Sequence, residues 1–130
     1  MQTSTTNMDR GNVATDETFD LIASDKVEGT YVYNRQGENL GSIYNVMIDK
    51  RSGQVRYAVL QFGGILGMGS SYYPLPWREL TYDTAMGGYV VDVDKTRLGN
   101  APSYAADEVP DWSDRGFGRR VDDYYGTFHA

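Results

Sequence analysis

The sequence predicts an all-β domain: a small antiparallel β-barrel of about six strands, with short helical turns and an extended C-terminal tail. Three observations lead there. Tyr supplies 11 residues against 4 Phe and 2 Trp, and 15 Gly and 4 Pro accompany them; this mixture favours strands and tight turns over a helical bundle. Apolar runs recur at intervals of about 8–12 residues with turn residues between them. Two of those runs are apolar on both faces, so each needs cover on both sides, as a barrel wall with something packed outside it provides.

Residues 1–18 are rich in Thr, Asn, Asp and Gly and hold no apolar run, so they are expected to form a disordered N-terminal arm. Neither a secretory signal nor a membrane span of about 20 apolar residues is legible anywhere in the chain. The folded domain is expected over residues 19–104. Phe19, Leu21 and Ile22 lead into Ser24-Asp25-Lys26-Val27-Glu28-Gly29, where Ser24 is placed to cap one helical turn and Gly29 to stop it.

The first strand is expected at Thr30–Asn34, followed by a hairpin loop, Arg35–Asn39, with Gly37 at a left-handed position. The second, Leu40–Asp49, alternates Ile43, Asn45 and Met47 with Tyr44, Val46 and Ile48. Lys50-Arg51-Ser52-Gly53 turns the chain into the third, Gln54–Phe62, with Val55, Tyr57 and Val59 on one face and Ala58, Leu60 and Phe62 on the other. Tyr72–Trp77 reads as a fourth strand. Pro74 and Pro76 lack backbone donors, which places it at an edge or a bulge. Arg78–Tyr82 supplies a turn and a short fifth strand, and Tyr89–Val93 the last. Asp94–Gly99 is a short helical turn. Residues 105–130 form an acidic tail threaded with Trp112, Phe117, Tyr124, Tyr125 and Phe128. Such aromatic content predicts that the tail lies along the barrel or a partner, with a short helix around Arg119–Tyr125.

Composition excludes much chemistry. The chain has 12 basic and 18 acidic residues, a net charge of −6, and no Cys. The acidic balance opposes direct nucleic-acid binding. The absence of Cys removes disulfides, thiolate zinc sites and thiol nucleophiles. The single His129, next to the C-terminus, cannot build a metal site alone. The stretch Gly63–Ser70 fails the phosphate-loop pattern because no Lys-Ser or Lys-Thr pair and no helix follow it. Asp92 and Asp94 share a strand face, but no third ligand joins them, and a solvated strand end is the expected reading. No cofactor, metal or catalytic group is expected.

The apolar residues Ile65, Leu66 and Met68 on a glycine-rich connection suggest either a contact surface or a loop folded back over one end of the barrel. Trp77, at a strand end, reads as a barrel plug or a stacking residue. Trp112, Tyr124 and Tyr125 in the tail complete the partner-contact candidates.

Several spaced motifs resemble one known family. Tyr31-Val32-Tyr33-Asn34-Arg35-Gln36-Gly37-Glu38-Asn39-Leu40-Gly41 is similar to the opening hairpin of the PRC-barrel domain, with its Val-Tyr-x-x-x-Gly-x-x-Leu-Gly pattern. Leu60-Gln61-Phe62 ahead of the glycine loop, Pro76-Trp77, and Val91-Asp92-Val93-Asp94-Lys95 before Leu98 and Ala101-Pro102 also resemble it. The resemblance implies a small barrel of about six strands. Such domains occur in the cytoplasmic part of the photosynthetic reaction-centre H subunit, in a ribosome maturation factor, and as stand-alone proteins. It implies a bacterial, cytoplasmic protein-contact module that is not an enzyme. The 130 residues contain neither the H subunit's membrane helix nor the maturation factor's separate N-terminal domain.

The expected function is therefore an adaptor that pairs with itself as a homodimer or docks on an unidentified protein. One alternative is a small-ligand binder using an open barrel end near Trp77 and the Asp92/Asp94 face. Another is a ribosome- or RNA-processing-linked factor that binds a basic protein.

Overall fold

The computed structural model describes residues 17–18, 20–62, 71–105, 108, 112–113 and 115–126. The expected disordered arm through residue 16 and the glycine-rich connection with Ile65, Leu66 and Met68 lie outside the described residues. In chain order the elements are α1 (Ser24–Val27), β1 (Tyr31–Tyr33), β2 (Asn39–Ile48), β3 (Val55–Phe62), β4 (Ser71–Pro76), a 3-10 turn (Trp77–Glu79), β5 (Thr81–Asp83), β6 (Gly88–Val90), α2 (Lys95–Gly99), β7 (Tyr104–Ala105) and α3 (Arg115–Gly126).

The strands form one seven-stranded sheet in the order β5-β6-β1-β2-β3-β4-β7. Two short strands, β5 and β7, are its hydrogen-bonded ends, one strand more than expected. The sheet is also not purely antiparallel: β6 runs parallel to β1, pairing Val32 with Tyr89 and Tyr33 with Val90. Local alternation shows which face a side chain takes but not which distant strand will fill a free edge, so this direction was invisible in the sequence.

The pairings also require the sheet to roll. Strands β4 and β5 run in the same sense and lie five places apart in the order. In a flat sheet five steps are about 24 Å, whereas the chain from Pro76 to Thr81 can reach at most about 18 Å. The 3-10 turn must carry the chain across the mouth of a curled sheet. Its first residue confirms the curvature, because the Trp77 ring meets the Tyr89 ring of β6 with centroids 5.3 Å apart. No strand pairing joins β5 to β7 among the described residues, so the barrel is rolled without a closing ladder.

Inside the roll lie Val32, Leu40, Ile43, Ala58, Leu60, Leu75, Val91 and Leu98, each 2 % exposed or less. Their burial stabilises the fold by about 1.5–3 kcal/mol for each large aliphatic side chain. Gly41 is required where β2 crosses closely over β3. Its φ is 136°, and a Cβ there would collide with the Gln61 carbonyl oxygen. Gly88 has a matching role on β6, since a Cβ would stand 2.5 Å from the Tyr31 carbonyl oxygen.

Two turns are organised by side chains. Asn34 is 1 % exposed, yet its Oδ1 accepts from the Gln36 and Glu38 amides at 3.0 and 2.9 Å and its Nδ2 donates to Glu38 Oε1 at 2.7 Å. Asp49 Oδ1 accepts from the Ser52 and Arg51 amides, both at 2.9 Å. Those bonds hold its carboxyl below the usual carboxylate range. The expected Ser24 cap is absent. The N-cap is Ala23 without a side-chain bond, because Ser24 is already the first helical residue.

The tail differs most from expectation. It is not extended: α3 spans 12 residues, starting earlier than the expected Arg119. Gly116 and Gly118 each weaken a helix by about 1 kcal/mol relative to Ala, so local preference alone would not place its start here. Docking does. Phe117, Val121 and Tyr125, spaced four apart on one helix face, are 8 %, 0 % and 1 % exposed, and the helix packs against β4. Only Ser71 and Tyr72 of β4 pair with β7. Pro74 and Pro76 offer no donors beyond that point, and a helix can cover an edge that a further strand could not pair.

Candidate functional site

Direct cross-strand pairing aligns Tyr31, Ser42, Gln61, Tyr72 and Tyr104 in one row across five strands. Opposed residues share a face, and this face points away from the Val32 and Leu60 interior. A β2 irregularity between Ile43 and Asn45 adds Tyr44 to the row: its ring sits 4.7 Å from that of Tyr72, which lies 5.4 Å from Tyr104. Tyr31 and Tyr44 remain 54 % and 51 % exposed. Burial, then the neighbouring Tyr72 and Tyr44, pushes the Tyr104 hydroxyl above its ordinary value.

Beyond Tyr104 the same face is covered by the chain's own tail. Phe117 meets Tyr104 at 6.5 Å and Trp112 at 5.2 Å, and Trp112 meets Tyr57 at 5.4 Å. The Tyr57 hydroxyl donates to Asp122 Oδ2 at 3.1 Å. Burial first and Asp122 second raise its pKa. The tail residues expected at a partner contact are thus engaged within the chain. Trp112 stacks on Tyr57, the Tyr124 hydroxyl donates to the Arg97 carbonyl at 2.6 Å, and Tyr125 is buried. Burial of Tyr125 pushes its hydroxyl far up, with Tyr124, Tyr73 and Glu79 adding to it. A tail apolar at every fourth position folds back because its own sheet offers the nearest uncovered apolar face.

At the opposite end, Trp77, Tyr82 and Tyr89 meet at steep angles, Trp77–Tyr89 at 61° and Tyr82–Tyr89 at 74°. Glu17 and Thr18, placed in the arm by their composition, are part of this end. Glu17 bridges to Ile22, and the Tyr82 hydroxyl donates to Glu17 Oε2 at 3.0 Å. Together with Asp20, Leu21, Ile22 and Leu80 they bound a cavity of about 320 Å³. Burial, followed by the Glu17 hydrogen bond, raises the Tyr82 pKa, and burial followed by Glu17 raises that of Tyr89.

The Asp92/Asp94 pair does not share a strand face, because β6 ends at Val90. Asp94 caps α2, its Oδ1 accepting from the Arg97 amide at 2.8 Å. Asp92 lies 3.8 Å from Arg35 on an open groove of about 890 Å³ that also includes Arg78, Glu79 and Asp83. Both ion-paired side chains there are more than half exposed, so the pair contributes little. Among the described residues no group of three or more His, Cys, Asp or Glu could hold a metal ion. No helix among them is long and apolar enough to cross a membrane.

Of the expected contact residues that are described, Trp77 lines the barrel-end cavity with Tyr82 and Tyr89, and Trp112 lines a second cavity of about 580 Å³ with Tyr57. The tyrosine row was missed. Its one sequence signal was Tyr at alternate positions in the first strand, and the register that aligns five strands cannot be read locally.

No curated protein matches this chain in sequence. A crystal structure of a protein described as a 16S ribosomal RNA processing protein, RimM, from Pseudomonas aeruginosa is similar at 21% sequence identity with a TM-score of 0.38. The match covers 56% of this chain and 44% of that one, so this chain spans less than half of that protein's length. A family model for the PRC-barrel domain matches residues 19–98, from the segment that closes the Trp77 end through α2. The chain belongs to the PRC-barrel family.

Proposed function

We propose that this PRC-barrel chain is a non-catalytic protein-contact module that pairs with a second copy of itself through the tyrosine row. One observation carries the reading. On a chain of net charge −6, the row Tyr31, Ser42, Gln61, Tyr72, Tyr104 has no charged side chain, and Tyr31 and Tyr44 beside it are half exposed. Two acidic copies repel each other over most of their surface, and a neutral face is where identical chains can meet. Tyrosine suits the task because a rigid ring supplies contact area at low entropic cost and its hydroxyl can bond across an isologous interface. The apolar Ile65, Leu66 and Met68 belong to the connection that leaves β3 at Phe62 and enters β4 at Ser71, next to Gln61 and Tyr72 of the row. This placement supports their role as further contacts.

Sedimentation velocity at about tens of micromolar tests the reading, in the range where a modest homodimer forms. The wild-type chain sediments as a dimer, and Tyr44→Asp as a folded monomer, since a charge on each copy would face its counterpart. A monomeric wild type overturns self-pairing. Capture of a basic ribosomal protein in a pull-down would then favour the ribosome-linked alternative.

A further inference from the structure

We propose that Tyr44 and Tyr72 form an oxidative modification site, where a one-electron oxidant such as the ferryl haem of a peroxidase joins the two rings into a dityrosine staple. Theirs is the closest ring pair among the described residues. The centroids are 4.7 Å apart with the planes inclined at 44°, near the lower limit of roughly 4.5–7 Å for aromatic pairs. Both rings belong to one chain, so the site does not depend on self-pairing.

Exposure separates this pair from the others. Tyr82 and Tyr89 are 5.1 Å apart, and Tyr124 and Tyr125 are 5.2 Å apart. Tyr89 and Tyr125 are buried, and the Tyr82 and Tyr124 hydroxyls are bonded to Glu17 and to the Arg97 carbonyl. Tyr31 and Tyr33 are 6.4 Å apart. Tyr104 stands 5.4 Å from Tyr72 and meets Phe117 on its other side. Tyr44 is half exposed, so an oxidant reaches it directly, and its nearest ring is Tyr72. The chain has no Cys, so no thiol competes for the oxidant.

In the coupling step each phenol gives one electron to the oxidant and its hydroxyl proton to water. The unpaired electron of each phenoxyl radical is shared with the ring carbons ortho to the oxygen. One such carbon of Tyr44 bonds to one of Tyr72. The hydrogen on each joined carbon is then lost as a proton, and each oxygen regains one, restoring both hydroxyls. The net change is one new carbon–carbon bond and the loss of two hydrogens, which convert one hydrogen peroxide into two waters. A bond of about 1.5 Å between two rings sets their centroids about 4.3 Å apart, so these centroids close by only a few tenths of an ångström. Holding the rings in contact makes coupling a unimolecular step, which at low concentration outruns encounter between chains. The staple spans β3, where Gln61 pairs with Ser42 on one side and Tyr72 on the other. It closes a loop through the connection carrying Ile65, Leu66 and Met68, and so restricts the unfolded chain.

Treatment of the full chain at about 1 μM with a haem peroxidase and hydrogen peroxide tests the proposal, below the range where a modest homodimer forms. Tryptic peptide 36–50, whose single tyrosine is Tyr44, becomes joined to peptide 57–78, which carries Tyr72. The product has lost two hydrogens and runs as a monomer in denaturant. Tyr44→Phe and Tyr72→Phe each lower the dityrosine emission about tenfold, whereas Tyr73→Phe, on the same tryptic peptide as Tyr72, leaves it unchanged. Each variant keeps its ring, and circular dichroism verifies that it folds. The stapled chain unfolds at a higher urea concentration than Tyr44→Phe treated in the same way. Covalent dimers as the main product, dityrosine emission that persists in Tyr44→Phe, or a urea midpoint not raised by the staple each overturn the proposal.

Discussion

The Tyr57 hydroxyl reaches across from β3 to the Asp122 carboxylate of α3 at 3.1 Å, tying together residues that are 65 positions apart. Tyr57 was expected to share one face of its strand with Val55 and Val59, and both faces of that strand needed cover. The cover is the chain's own C-terminal helix, and Trp112 and Phe117 continue the contact, Trp112 tilted on Tyr57 and Phe117 edge-on to Trp112.

Tyr57→Phe keeps the ring packing and removes the hydroxyl's bond to Asp122 together with its longer, 3.5 Å contact to the Gly118 carbonyl. We expect a loss of about 1 kcal/mol in urea unfolding. Hydrogen exchange should quicken selectively at the α3 amides, since their protection depends on the helix staying docked. An unchanged exchange pattern would show that the ring stacking alone holds the helix.

Val121 is fully buried on the docked face. Val121→Asp places an unpaired carboxylate there, and the helix should undock, with a cost of about 3 kcal/mol or more. Limited proteolysis should cut first within residues 115–126, while the β-sheet circular dichroism persists.

Gly41 lies against the Gln61 carbonyl. Gly41→Ala needs both an unfavourable φ of 136° and a backbone shift of β3, so it should destabilise by about 2 kcal/mol or more. Thermal unfolding measures this, and Gly99→Ala is the control, because nothing lies within 4 Å of a Cβ at Gly99.

Asn34 is buried and bonded through both side-chain ends. Asn34→Ala leaves the Gln36 and Glu38 amides without their acceptor and should cost about 2 kcal/mol. Asn34→Asp keeps Oδ1 but sets a carboxylate against Glu38. Its loss should therefore be smaller at low pH than at neutral pH, as equilibrium unfolding at the two values would show.

Burial is the first cause that raises the hydroxyls of Tyr57, Tyr82, Tyr89, Tyr104 and Tyr125. The folded chain holds these protons more tightly than the unfolded chain does. The stability this adds is present in full below the ordinary phenol value of about 10 and disappears as pH rises through the raised folded values. Urea midpoints should fall steeply above about pH 10, together with delayed tyrosinate absorbance in the folded state. Tyr57→Phe should make the fall shallower.

The sequence by itself determined six of the seven strands, the faces of the long central ones and most of their turns. Each is set by residues within a few positions: Val32 between two tyrosines, Asp49 bonding forward to Ser52, Gly37 in its loop. It also carried the motifs by which the chain is placed in its family. Long-range geometry decided the rest. Where β6 lies, how Tyr31 aligns with Tyr104 across three intervening strands, and how Glu17 reaches Tyr82 all depend on register and curvature, which bring together residues far apart in the chain. The acidic tail shows the division most directly. Its aromatic spacing foretold a docked segment, but only the sheet, with a proline-bearing edge at β4 and an apolar outer face at Tyr57 and Val59, made the chain itself the partner.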